Sequence, residues 1–237
     1  MPLINNLMQL DEILEKLEFS MKQKKPYSLI RFGHGEMHVV SHKIYPEHNL
    51  NRYFDHYHNY AGISELSDNI ALNLINSLKR ADLVGLGNHT PYNQELLDKI
   101  IDYYHLSLPA ICNAWICVEM INSVKFFDLL KSKKIVIIGR RSTEGAVRFR
   151  DFGINVVGTI GHEGFEGIPK TLRAVSTMPE FDLAIVAAGV PATIMCPDIA
   201  EITGKVAIDF GHALDILIEG ESFDHEKLVN NFNESLK

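Results

Sequence analysis

Apolar residues along this chain fall into two rhythms. The first is helical: Leu7, Leu10, Ile13, Leu14 and Leu17 recur three or four positions apart with charges between them, and the run stops at Lys24, Lys25 and Pro26. An amphipathic opening helix is expected there. The second is a series of short apolar runs, each bounded by Gly, Asn or Pro: YSLIRF (27–32), DLVGLG (82–87), LPAICNA (108–114), KIVIIG (134–139), INVVGTIG (154–161), FDLAIVAAG (181–189) and KVAIDFG (205–211). Most are continuous rather than alternating, as expected of strands covered on both faces. Helical patterns fill the gaps at 67–80, 93–104, 117–131, 143–152, 168–178 and 192–203. Strand and helix in alternation predict crossover units, so the expected fold class is α/β, Rossmann-like, with a mostly parallel sheet flanked by helices.

Composition narrows the picture. A chain of 237 residues, 46% hydrophobic, can bury a sizeable core, and the reading is a single domain over 1–237 with helical extensions at 1–25 and 222–237. The last of these is a cap, a dimer contact or a frayed tail. A net charge of -7 offers no basic field for a phosphate backbone, so nucleic acid is not an expected partner. Cys112, Cys117 and Cys196 form no CxxC pair, which argues against a disulfide scaffold or structural zinc and for a reducing cytoplasm. The first 25 residues carry acidic groups within their apolar pattern and no cleavage site, and no run reaches the ~18 apolar residues of a membrane span, so a soluble cytoplasmic protein is expected. The least regular stretch is 41–62, rich in His, Tyr and Asn; an irregular connection of that length is usually functional, often a lid or substrate loop.

Ligands of open parallel sheets bind beyond the carboxyl ends of the strands. The residues that follow each run are therefore the candidates: Arg31 to Glu36; Asn88 and His89; Asn113; Arg140 and Arg141; His162 and Glu163; Ala188 and Gly189; and Asp209, Gly211 and His212. A merely structural turn needs only Gly, Asn or Pro; here charged and amide groups recur. FGHGE and AAGVPA place glycine where a strand passes toward a helix, allowing backbone to approach an anion. Arg140 and Arg141 either grip a diphosphate or stand in solvent. Glu36 is either a hard oxygen ligand for Mg²⁺ or Mn²⁺ or a carboxylate favoured by a helix dipole. His34, His38 and His42 would share one helical face, a zinc pattern without HExxH. YFDHYHNY (53–60) is an aromatic sugar platform or a packed loop.

With those residues in place, the sequence resembles the bacterial glycosyltransferases of the GT-D type. SLIRFGHGE is similar to the family's RFGDGE segment; ICNAW, KIVIIGRR, FDLAIVAAGVPATIM and AIDFGHALD follow in the family's order. The resemblance implies a Rossmann-like domain that transfers a sugar from a nucleoside-diphosphate sugar, a UDP-sugar being favoured, to a glycan or protein-glycan acceptor in polysaccharide biosynthesis. It further implies a divalent metal, Mn²⁺ or Mg²⁺, held by a DxE motif. Glu36 matches the glutamate, Arg31 the arginine, Gly33 and Gly35 the glycines, and His34 stands where the family has aspartate. One hard carboxylate oxygen is thereby replaced by an imidazole nitrogen.

The roles that follow put Glu36, with His34, at the metal, and Arg31 with Arg140 or Arg141 at the diphosphate, joined on the donor side by Gly33, Gly35, Asn88, Asn113 and Gly189. His212 is the candidate base, with Glu163 in reserve, and Asp209 either orients His212 or contacts the donor. The alternative for His212 is a structural hydrogen bond. The alternative for the whole chain is a non-catalytic nucleotide-sugar-binding subunit of cell-surface polysaccharide assembly. A methyltransferase reading lacks both a Gly-rich first turn and a paired acidic residue. A homodimer or association with other glycosyltransferase modules is open.

Overall fold

Each of the seven apolar runs becomes a strand. The computed structural model describes residues 7–42, 44, 57–63, 66–87, 91–108, 110–178 and 180–236. Strands β1 (Tyr27–Phe32), β2 (Leu83–Leu86), β3 (Ile111–Asn113), β4 (Lys134–Gly139), β5 (Asn155–Ile160), β6 (Leu183–Ala187) and β7 (Val206–Asp209) form one sheet in the order β3-β2-β1-β7-β6-β4-β5. Every pairing is parallel.

The unbroken apolar runs have a simple cause. On β4, Val136 and Ile138 face one layer of helices while Ile135 and Ile137 face the other, so both sides of the pleat demand apolar groups. The first layer holds α2 (His34–Ser41), α3 (Asp68–Arg80), α4 (Pro91–Tyr104), α8 (Ile168–Ser176) and α9 (Pro191–Thr203). The second holds α1 (Leu10–Gln23), α5 (Ile116–Ile121), α6 (Val124–Leu130), α7 (Ser142–Asp151) and α10 (His212–Glu219). The last helix, α11 (His225–Ser235), packs beside the sheet's carboxyl edge. Phe149, fully buried under α7, typifies the second core; truncating such a ring to Ala costs about 3–5 kcal/mol.

Two expectations change. The helix expected over 117–131 is two helices, because Asn122 turns its side chain back onto the Val118 carbonyl at 3.0 Å and Ser123 follows it; such side chains compete with the helical backbone for its own partners. The opening helix is no extension: Ile13, Leu14, Leu17 and Met21 lie within the second core. Of the irregular stretch 41–62, residues 43 and 45–56 lie outside the described residues.

From β1 the chain steps outward to β2 and β3, whereas from β4 it steps the other way to β5, leaving the ends of β7 and β6 between. A reversal of this kind opens a crevice at the carboxyl edge of the sheet.

Candidate functional site

A cavity of about 470 Å³ occupies that crevice, within the size range of small-ligand sites. The ends of β1, β4, β6 and β7 form its floor, through Arg31, Arg140, Ala187 and Phe210, and the first residues of α2 and α10 open onto it. Helix N-termini carry partial positive charge, which favours an anion beside them.

Arg31 is the charge at the centre. Its Nη2 lies 3.1 Å from Oδ1 of Asp209, whose side chain is fully buried, and its backbone N–H donates to Oδ2 at 3.3 Å. Burial works against the guanidinium charge, but Asp209 and then Cys117 and Glu36 outweigh it, so Arg31 stays protonated. Asp209 is pushed the other way: burial, with a further push from Glu36, raises its carboxyl to about 6 in spite of Arg31. The Arg31 Nε donor is buried without a partner among the described residues, an arrangement that an anionic ligand or a water would satisfy. Gly211, at φ +46°, allows all this, since a Cβ there would fall 1.8 Å from Arg31 Nη2.

Glu36 is buried in the first turn of α2. Its Oε2 accepts the Gly33 N–H at 2.8 Å, which caps the helix. The Thr193 hydroxyl lies 3.0 Å from the Arg31 carbonyl oxygen and 3.3 Å from Glu36 Oε1, with one proton to share between them. His34, the first residue of α2, is exposed at the cavity wall. As a metal site this is one hard carboxylate, engaged in the fold, beside one imidazole. Among the described residues no cluster of three or more His, Cys, Asp or Glu side chains is placed to hold a metal ion. Mg²⁺ or Mn²⁺ commonly takes one or two carboxylates together with substrate phosphates, so Glu36, with His34, is what these residues would offer such an ion. The His34, His38 and His42 stripe does not gather either: His38 is buried against His58 at 5.0 Å between ring centres, and His42 turns to the Val39 carbonyl and Asp68.

Across the cavity stands His212, its side chain 39% exposed, with Nδ1 3.6 Å from Asp215 Oδ2 one helical turn on. Tyr60 donates to the same Oδ2 at 3.1 Å, and Arg141 Nη1 reaches Oδ1 at 3.2 Å. Burial alone would raise Asp215, but the neighbouring His212 imidazole, the Arg141 charge and the Tyr60 hydroxyl hold it below the usual carboxylate range. A histidine whose inner nitrogen faces a fixed carboxylate is oriented for proton transfer at the outer one. The carboxylate that faces His212 is thus Asp215, whereas Asp209 faces Arg31.

The two arginines of the β4 turn part company. Arg141 is enclosed by Glu144, Asp215 and Glu219 and belongs to the Asp215 framework. Arg140 lies in the cavity wall, gripped by both oxygens of Glu163 at 2.7 Å, its guanidinium 5.0 Å from the centre of the Tyr60 ring and 3.6 Å from that of Phe232. Glu163 is therefore the partner of Arg140. Neighbouring His162 is buried with Nδ1 2.8 Å from the Thr171 hydroxyl, and burial holds it neutral.

Gly33, Gly35 and Gly189 all border the cavity. Gly189, at φ +64°, packs against the Ala61 carbonyl, which accepts the next N–H, from Val190, at 2.9 Å; this anchors the segment that carries Tyr60. Asn113 is not in the cavity wall: its side chain accepts the Trp115 N–H at 2.9 Å, and Trp115 itself borders the space. Asn88 and His89 lie outside the described residues. Sequence reasoning passed over Asp215, Trp115, His225 and Phe232 as site residues. Asp215 had a signal, three positions after His212 in HALD; Phe232 and His225 had none, because only the return of the distant α11 brings them here.

No helix among the described residues is long and apolar enough to cross a membrane. No curated protein matches the chain. Solved structures do. One described as a domain of unknown function 1792 superposes with a TM-score of 0.60 at 16% identity, covering 92% of this chain and 83% of its own. Another, said to have a distinct glycosyltransferase fold, gives 0.57 at 17%, with the same coverages of 92% and 83%. A third, a new glycosyltransferase of the same domain family from Streptococcus sanguinis, gives 0.58 at 15%, covering 92% and 86%. At such identities the likeness establishes the fold, and the sequence itself supplies the family: the model of the GT-D fold-like domain matches residues 8–217, and the chain belongs to that family.

Proposed function

We propose that this chain transfers a glycosyl group from a nucleoside-diphosphate sugar to an acceptor hydroxyl. The acceptor oxygen bonds to the anomeric carbon, the bond from that carbon to the diphosphate oxygen breaks, and its electron pair leaves with the diphosphate. Negative charge grows on the leaving group, so preformed cations there lower the barrier. Arg31, pinned by Asp209 and backed by Gly211, faces that charge together with Arg140 and the first turns of α2 and α10. The acceptor proton passes to His212, whose imidazole Asp215 orients.

One observation carries this reading: a pinned cation and an oriented imidazole line the same cavity at the switch point of a GT-D sheet. Charge compensation from the protein comes from the arginines and helix ends, to which a divalent ion held by Glu36, His34 and the diphosphate would add. The test is release of nucleoside diphosphate from UDP-, GDP- and dTDP-sugars, with and without glycan acceptors and Mn²⁺. Acceptor-dependent release from one donor supports the reading. Saturable binding of one nucleotide sugar without turnover supports instead a non-catalytic binding subunit, a reading favoured by His34 at the family's acidic position and by the engagement of Glu36 in capping α2.

A further inference from the structure

Helix α11 begins eight residues beyond the segment the family model matches, which ends at Leu217, yet it returns to the cavity. Its inward side carries His225, Val229 and Phe232, of which Val229 is fully buried. The Arg140 guanidinium carbon lies over the Phe232 ring, 3.6 Å from its centre, on a cation already held by Glu163. The His225 ring meets the His212 ring edge-on at 4.4 Å and stacks on Tyr57 at 5.5 Å, while Glu226 accepts a hydrogen bond from Tyr57. His225 Nε2 is buried and has no partner among the described residues. Burial, and then the neighbouring His212, hold this imidazole on the neutral side.

We infer that α11 is part of the active site, with Phe232 a positioning residue for Arg140 and His225 a positioning residue for His212. This rests on the transferase reading of the same cavity. A guanidinium faced by a ring and gripped along one edge has few orientations left, so it meets a diphosphate without first being ordered. An imidazole bounded by Asp215 on one side and a neutral ring on the other keeps one angle toward an acceptor hydroxyl. The two residues thus act on opposite halves of the reaction: Phe232 on donor binding, His225 on turnover.

The experiment compares the full chain with Phe232→Ala, Phe232→Tyr, His225→Ala and the outward-facing Glu234→Ala. Steady-state kinetics are measured alongside the thermal stabilisation given by UDP, GDP and inorganic pyrophosphate. Phe232→Ala is expected to raise the donor KM about five- to tenfold with kcat within twofold, and Phe232→Tyr, which keeps the ring, to restore it. His225→Ala is expected to lower kcat about tenfold with donor KM unchanged. Glu234→Ala matches the wild type throughout. Wild-type constants in both alanine variants overturn the role of α11 and leave the transferase reading standing. A wild type inert toward every donor overturns the transferase reading, and the pyrophosphate arm then decides for the helix: reduced stabilisation in Phe232→Ala supports it, and undiminished stabilisation overturns it.

Discussion

Gly211 lies directly against the Arg31 guanidinium: a methyl group on that glycine would sit 1.8 Å from Nη2 and 2.2 Å from Cζ. The glycine is at φ +46° and ψ -134°, a sparsely populated conformation that costs other residues about 1–3 kcal/mol. Gly211→Ala should therefore displace Arg31 from the cavity as well as strain the turn. The expected outcome is at least a tenfold loss of nucleoside-diphosphate affinity by titration calorimetry, with a fall in Tm of a few degrees. Undiminished affinity would remove Arg31 from the donor site.

Asp209 gives the fold a pH signature. Its carboxyl rises from 3.8 to about 6 on folding, through burial first and Glu36 second. Between those values the folded chain holds a proton that the unfolded chain has released, so this group's contribution is greatest below pH 4 and is lost as pH rises through 6. Asp215, held low, acts in the opposite sense, but only at more acidic pH. Asp209→Asn should flatten the slope of stability between about pH 4 and 6 in urea melts, and should also lower stability overall by leaving Arg31 without its counter-charge.

His212 and Asp215 divide one task. His212→Ala should lower kcat by a factor of about 10²–10⁴, the usual range for a positioned base, with donor binding unchanged in calorimetry. Asp215→Asn keeps the hydrogen-bonding shape but not the charge that orients the imidazole, and a smaller loss, about 10- to 100-fold, is expected. Transfer at the wild-type rate in His212→Ala would shift the search for the base elsewhere in the cavity.

Glu36→Ala removes a helix cap as well as a candidate ligand. The family match alone predicts loss of transfer in an intact fold; the Gly33 N–H and Thr193 contacts add a stability cost of about 1–2 kcal/mol. Glu36→Gln, which retains an acceptor for Gly33, separates the two effects: stability largely returns, and activity stays low only if the charge matters. His34→Asp places a second carboxylate beside Glu36 and should raise the dependence of nucleotide binding on Mn²⁺. Identical Mn²⁺ titrations of the two forms would show that position 34 does not touch a metal.

Much of the framework was legible because its physics is local. KIVIIG and YSLIRF coincide with β4 and β1, since strands covered on both faces carry an apolar run between their boundary residues. The site was legible only as far as strand ends announce it: Arg31, Asp209, His212 and Arg140 all lie where the runs of β1, β7 and β4 stop. Their pairing was not legible. Asp209 is 178 positions from Arg31, and nothing local distinguishes a carboxylate that serves Arg31 from one that serves His212. Asn113 looked like a ligand because it ends a strand, but an amide can equally bond to the backbone two residues on.

The Thr193 hydroxyl, between the Arg31 carbonyl and Glu36, ties the start of α9 to the end of β1 and to α2. Arg31, Glu36, Asp209 and Thr193 are thereby mounted as one piece, so substitutions among them should show strong coupling in double-mutant cycles. His34 stands outside that piece, on the exposed rim. A different side chain at position 34 would therefore alter what the cavity offers a ligand without disturbing how the cavity is built.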